Sequence, residues 1–161
     1  AGAGPRVYTG VFVIDRATTD TFLISITGIP FQPSQVTFVA HANVASKISE
    51  DDSADNENNI NNSFGTMNGF ANASTDPIVQ QVIYFGGSGA SINSIGWFSS
   101  STNCIGVRYG NQNADKLGII KGALQNFTTD GFDIDVTYAV SGNGDADFRA
   151  EKLVVLYTAY K

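Results

Sequence analysis

The clearest alternation in the chain follows Asp130. Phe132, Ile134, Val136, Tyr138 and Val140 interleave with Asp133, Asp135 and Thr137. A strand turns successive side chains to opposite faces, so this pattern predicts a sheet with one dry and one wet face, half of a β-sandwich. The run Leu153-Val154-Val155-Leu156-Tyr157 has no polar face. It needs cover on both sides, either from the second sheet and a loop or from another subunit. Between the two, Ser141-Gly142-Asn143-Gly144-Asp145 is rich in turn formers and lets the chain return as an antiparallel partner.

The same periodicity recurs upstream. Val7 to Ile14 is apolar enough for a strand, and Asp15 to Asp20 supplies a polar connection. Phe22, Ile24 and Ile26 share a face against Thr21, Ser25 and Thr27, until Pro30 and Pro33 break the ladder. Val36, Phe38, Ala40, Ala42 and Val44 fall on one face, with Thr37, His41 and Asn43 opposite. The stretch 46–62 holds Glu50, Asp51, Asp52, Asp55 and Glu57 among asparagines and serines, with almost nothing to bury, which predicts a long acidic surface loop. Further strands are expected over 63–70, 78–85, 91–98, 103–109 and 117–127, divided by Gly86-Gly87-Ser88-Gly89, Ser99-Ser100-Ser101 and Gly110-Asn111-Gln112-Asn113. About 8–10 short strands with regular turn signals predict an all-β fold, an antiparallel, jelly-roll-like β-sandwich. Residues 1–6 form an N-terminal arm and 7–161 a single domain, a size that buries about two-thirds of the unfolded surface without disulfide or metal.

Composition narrows the function. A net charge of -6 with nine basic residues offers no clustered cationic groove for phosphates, so nucleic acid is excluded as a partner. No apolar run approaches the ~20 residues of a membrane helix, and Ala1 to Arg6 is too short and polar for a signal peptide, unless one was already removed. The single cysteine, Cys104, excludes an internal disulfide and favours synthesis in a reducing cytoplasm. The Asn-x-Ser/Thr triplets at Asn61, Asn72 and Asn126 are of the kind an Asn-rich chain produces by chance.

Candidate chemistry is thin. Ser-His-Asp catalysis needs a histidine held by a carboxylate, and the sole histidine, His41, sits mid-strand beside threonine and asparagine, as a surface polar residue does. Cys104 has no basic neighbours to lower its pKa and reads as a buried, inert thiol. One histidine and one cysteine do not make a zinc site. Asp145-x-Asp147 and the loop around Asp51, Asp52 and Asp55 carry calcium-type oxygen ligands without the closing glutamate of a calcium loop. Asp133 and Asp135, roughly 7 Å apart by strand rise, have glycosidase-like spacing, but soluble surface aspartates are the plainer reading. No carboxylate has a sequence environment that would raise its pKa. Trp97, Tyr109 and Asn111 could stack on and hydrogen-bond a sugar, while core packing accounts for Trp97 equally well because Ile95 shares its face.

Four stretches together carry a resemblance: Gly28-Ile29-Pro30-Phe31-Gln32-Pro33 with the strand through Ala40, Ser63-Phe64-Gly65-Thr66-Met67-Asn68-Gly69, Asp130-Gly131-Phe132-Asp133-Ile134, and the ending Leu156-Tyr157-Thr158-Ala159. In order and spacing they resemble a β-sandwich module of tailed-bacteriophage virion proteins, over residues 20 to 161, with Ile29-Pro30 inserted before Phe31 and a longer acidic loop. The resemblance implies a capsid decoration (cement) protein that is non-enzymatic and without cofactor. It further implies a homotrimer on the major capsid protein, at the capsid exterior of the virion, made in the host bacterial cytoplasm. The family also supplies tail-fibre tips, which implies the alternative of a domain binding a receptor or host-surface glycan, for which Trp97, Tyr109 and Asn111 are the candidate residues of this chain. With only six residues ahead of the first strand, the decoration role is the expectation, and a glycan hydrolase is a distant third. The expected assembly contacts are the arm residues Ala1, Gly2, Pro5 and Arg6 and the two-sided strand at Leu153, Val155 and Tyr157. The other reading of that strand is that it is central in its own sandwich.

Overall fold

A computed structural model describes residues 4–50, 52–53, 59–73, 77–141 and 146–161. Alternating stretches become strands β1 (Val7–Asp15), β2 (Thr21–Ile26), β3 (Gln35–His41), β4 (Ser63–Asn72), β5 (Val79–Ser88), β6 (Gly96–Ser100), β7 (Ile105–Gly110), β8 (Lys116–Thr128), β9 (Gly131–Val140) and β10 (Lys152–Tyr160). A 3-10 turn (Ile60–Asn62) precedes β4, and a one-turn helix α1 (Ala146–Arg149) precedes β10. The strands form two antiparallel sheets, a six-stranded one in the order β1-β10-β3-β4-β5-β6 and a four-stranded one in the order β2-β9-β8-β7. The sheets pack as a sandwich, in agreement with the all-β expectation. First and last strands pair as in a jelly roll, β1 with β10 and β2 with β9, whereas β3 to β6 and β7 to β9 run as meanders.

The core follows the alternation. Phe132, Ile134, Val136 and Tyr138 of β9 are buried, as are Val36, Phe38 and Ala40 of β3 and Leu153, Val155, Tyr157 and Ala159 of β10. Phe12, Phe38, Phe132 and Tyr157 meet edge-on or tilted, with ring centroids 5.3 to 6.3 Å apart, an arrangement favoured by the aromatic quadrupole. A second group, Phe22, Tyr138, Phe148 and Tyr109, closes the end of the sandwich near α1. Phe148 is fully buried, and its ring occupies the place a side chain at Gly118 would take. A four-residue helix is too short to leave a periodic trace, which is why α1 does not stand out in the sequence.

Two of the stretches that carry the phage resemblance meet at one corner. The Asp130 carbonyl accepts from Ile29 N at 2.8 Å, and its carboxylate accepts from Gly28 N at 3.2 Å, with Gly28 at φ +86°. A Cβ at Gly131 would overlap the Ile26 carbonyl oxygen, so only glycine lets β9 start against that crossing chain. Phe132 then enters the core.

Several boundaries differ from expectation. Gly86-Gly87-Ser88 does not end β5 but continues it against Gly65, Phe64 and Ser63, since a Cβ at Gly86 would collide with the Phe64 carbonyl oxygen. β6 begins at Gly96 rather than Ser91. Val44 leaves the β3 face and is exposed because Asn43 turns the chain at φ 62°. The Asn43 amide donates to the carbonyls of Ile60 (2.7 Å) and Ser63 (2.6 Å), fastening the two ends of the acidic loop together. The described part of that loop is exposed up to Asn59, while Asp51, Asp55 and Glu57 lie outside the described residues.

Candidate interaction surface

The outward rows of the six-stranded sheet can be read from the register. One runs Val11–Leu156–Val39–Asn68–Ile83–Ser99, and another takes in Thr66, Phe85 and Trp97. Exposed along this face are Val7, Val11, Leu156, Tyr160, Phe64, Phe70, Val79, Ile83, Phe85 and Trp97, with Ile92 and Ile95 in the connection leading to β6. Trp97 is 71% exposed and Phe85 61%, far from the burial usual for large aromatics. The only Asp, Glu, Lys or Arg among the outward positions of these strands are Asp15 and Lys152, paired at 3.6 Å at one end. Strands of a half-buried sheet ordinarily present polar residues to water. Here the outer face sets exposed large apolar side chains among uncharged polar ones such as Thr9, Thr37, Asn68 and Ser99.

The face has relief. Threonines at Thr9, Thr158 and Thr37 form a low row beside the Val11–Leu156–Val39 row. Together they line a groove of about 450 Å³ whose wall also includes Gly10. At the other end Phe85 and Trp97, directly paired across β5 and β6, project as an aromatic ridge. A smaller hollow of about 370 Å³ lies between Phe85 and His41, lined also by Phe64, Gly65 and Thr66.

The expected site residues fall into different places. Leu153, Val155 and Tyr157 point inward and are at most 6% exposed, because β10 is central in its own sandwich, so the burial of that strand is explained without a second subunit; Tyr157 also lines the outer groove, and Leu156 at 54% is the exposed residue of the run. Pro5 and Arg6 are exposed, and the Arg6 carbonyl accepts from Lys161 N, while Ala1 and Gly2 lie outside the described residues. The sugar-binding trio does not assemble. Trp97 stands on the outer face, Tyr109 is fully buried against Phe148, and Asn111 is engaged with its own loop through Asp115 and Asn113. Core packing as the reason for Trp97 is likewise corrected, since both it and Ile95 face outward.

Titratable groups follow the same division. His41 is exposed beside Thr66 and Phe85. Cys104 is fully buried, and burial pushes its thiol up to about 12, so it is no nucleophile at neutral pH. Asp133 and Asp135 sit on the outer face of the four-stranded sheet. Asp20 joins Arg149 (3.1 Å) and Arg16 (2.7 Å), and the Arg149 guanidinium foremost holds its carboxyl below the ordinary range. One carboxylate departs from expectation: burial, with help from Asp147, raises Glu151 from 4.5 to about 7. Its position in the short connection between α1 and β10 gives no polar-patterning signal, so the sequence could not reveal it. Among the described residues no three His, Cys, Asp or Glu side chains converge as metal ligands, and Asp51, Asp55 and Asp145 of the calcium alternatives lie outside them. No described helix is long and apolar enough to cross a membrane.

Comparison of the chain with protein-family models, with curated proteins and with solved structures finds no match.

Proposed function

We propose that this chain is an adhesive structural protein of a tailed-phage virion, a capsid decoration protein that stabilises the head on the major capsid protein without turnover. The observation that carries the reading is the outer face of the six-stranded sheet, which exposes Val11, Leu156, Phe64, Phe70, Ile83, Phe85 and Trp97 among uncharged polar residues and is nearly free of charge. Such a patch marks a contact surface. Each 100 Å² of apolar area removed from water contributes about 2.5 kcal/mol before the costs of association are subtracted. Contacts of this kind between shell subunits must break before internal pressure can open the head. The resemblance of the Gly28 to Ala40, Ser63 to Gly69, Asp130 to Ile134 and Leu156 to Ala159 stretches supplies the virion context.

The alternative, a tail-tip domain for a host-surface glycan, retains Trp97 as an exposed stacking platform but loses Tyr109 to the core. The two readings part in one experiment. Heads assembled with and without the chain are challenged with heat and low salt while the purified protein is screened on a glycan array. Decoration predicts that bare heads open at lower temperature and that the array stays blank. Equal resistance of both heads, with micromolar glycan binding abolished by Trp97→Ala, would replace decoration by the tail-tip reading.

A further inference from the structure

The geometry points to the free edge of β6 as a docking strip, where an extended, uncharged segment of another protein adds as a seventh strand and covers Trp97. The inference rests on the adhesive reading of this sheet and names the strand that adheres and the form its partner takes.

The two sheets end in four edge strands, β1 and β6 in the six-stranded sheet and β2 and β7 in the four-stranded one. An edge presents unpaired N–H and C=O groups, and proteins guard it with charge, proline or a bulge against pairing with other chains. Three of these edges carry charge. Arg6 and Asp15 stand at the two ends of β1, Asp20 immediately precedes β2, and Arg108 lies within β7. β6 has no such guard. Residues 78–107 contain no Asp, Glu, Lys, Arg, His or Pro. The pairing of β6 with β5 runs in unbroken register from Gly96 opposite Gly86 to Ser100 opposite Val82, without a bulge. Among the described residues no turn or loop backbone bond reaches Gly96–Ser100.

The strand is also held in place for pairing. Its inward Phe98 lies against Gly106 of β7, where a Cβ would overlap the ring, so β6 is seated on the opposite sheet. Outward it shows Trp97 and Ser99, with Ile95 just ahead, and Trp97 and Ile95 are 71% and 64% exposed. An added strand would set one side chain beside Trp97 on the outer face, a cross-strand position where aromatic and aliphatic pairs stabilise a sheet.

These features specify the partner. An extended backbone offers N–H and C=O groups at the spacing of a strand edge, which a sugar or a lipid does not. The paired residues must be uncharged, because β6 has no group to compensate a charge taken out of water. A second copy fits poorly. The one unguarded edge it could bring is β6 itself, about 16 Å of pairing at about 3.3 Å per residue, and that strip would have to hold together two bodies of net charge -6. A separate segment brings the backbone without the second body.

The test uses the full chain, with a short capped peptide of alternating valine and threonine as the probe and its valine–glutamate counterpart as the control. Hydrogen exchange followed by NMR should show the alternate amides of β6, those directed away from β5, protected by the valine–threonine peptide, while Trp97 emission shifts to the blue. The valine–glutamate peptide should do neither. Ser99→Lys, with folding checked by circular dichroism, should weaken binding at least about tenfold by placing an uncompensated charge in the joint. Thr9→Lys on β1, at the far edge of the sheet, should leave binding unchanged. A Trp97 shift without amide protection would mean stacking alone and would overturn the inference. So would equal responses to the two peptides, no response to either, or binding that survives Ser99→Lys. Edge amides already protected in the free chain, together with a dimer in sedimentation, would assign the edge to a second copy instead. Heads separate this inference from decoration. A Ser99→Lys chain that coats heads as well as wild type removes strand addition as the mode of attachment and leaves decoration standing. A wild-type chain that takes up the peptide but ignores heads does the reverse.

Discussion

Across the four-stranded sheet the outward positions read Thr21–Thr137–Lys121 and Leu23–Asp135–Ala123, with Ser25 and Asp133 beyond, and Leu23 is the one exposed large hydrophobic among them. Across the six-stranded sheet they read Val11–Leu156–Val39–Asn68–Ile83, flanked by Phe70, Phe85 and Trp97. Both sheets bury an apolar inner face, that of β2 only partly, so folding needs no difference between the outer ones. The difference is therefore informative about something other than folding. Water suffices for the first surface, while the second gains by being covered.

The widest separation should appear between inner and outer positions of one strand. Phe132→Ala on β9 should cost about 3–5 kcal/mol in denaturant unfolding, since it empties the centre of the aromatic cluster. A cost below about 1 kcal/mol would mean Phe132 is not a core residue. On β10, Leu153→Ala should cost about 2–5 kcal/mol of chain stability, whereas Leu156→Ser, three residues on, should cost less than about 0.5 kcal/mol when both are measured on the free chain. Equal costs would erase the distinction between inward and outward residues on which the surface assignment depends.

Glu151 sharpens the comparison from the side of charge, because Asp135 is exposed on the polar face whereas burial desolvates the Glu151 carboxyl. Its folded pKa of about 7 lies above the ordinary 4.5, so folding favours the protonated form. The associated stability is complete below about pH 4.5 and is lost as the pH rises through 7. The shift alone would amount to about 3 kcal/mol, and partial solvent contact reduces that to about 1 kcal/mol. Glu151→Gln should therefore flatten the decline in unfolding free energy between pH 4.5 and 8 and raise stability at pH 8. An unchanged pH profile would show that the carboxyl is solvated. The smallest effect is expected on the polar face, where Thr137→Ala should stay within about 0.5 kcal/mol of wild type by thermal unfolding.

Much of this architecture was legible in the chain. Period-two alternation located β2, β3 and β9 and sorted their inward residues, because burial of one face imposes that period. The uncovered face was harder to read. In the run Leu153 to Tyr157 an apolar residue at every position announces two dry faces without saying which residues face the protein's own core, and the expectation chose Leu153, Val155 and Tyr157 where the register makes Leu156 the outward one. In β5 the outward Val79, Ile83 and Phe85 alternate with buried Val82 and Tyr84, so the strand reads simply as hydrophobic. Only pairing across β4 and β6 assembles those residues with Phe70 and Trp97. Glycine misled in one place: Gly86-Gly87 reads as a turn, but β5 continues through both, and at Gly86 β4 passes too close for a side chain.

Trp97, the chain's sole tryptophan, reports on the uncovered face directly. Its emission and its quenching by acrylamide should be recorded for the chain free in solution and bound to heads, with heads carrying the Trp97→Phe chain as the blank. A contact surface predicts red-shifted, freely quenched emission from the free chain and blue-shifted, shielded emission from the bound one. Equally water-exposed emission in both states would contradict the claim that this face is a contact surface.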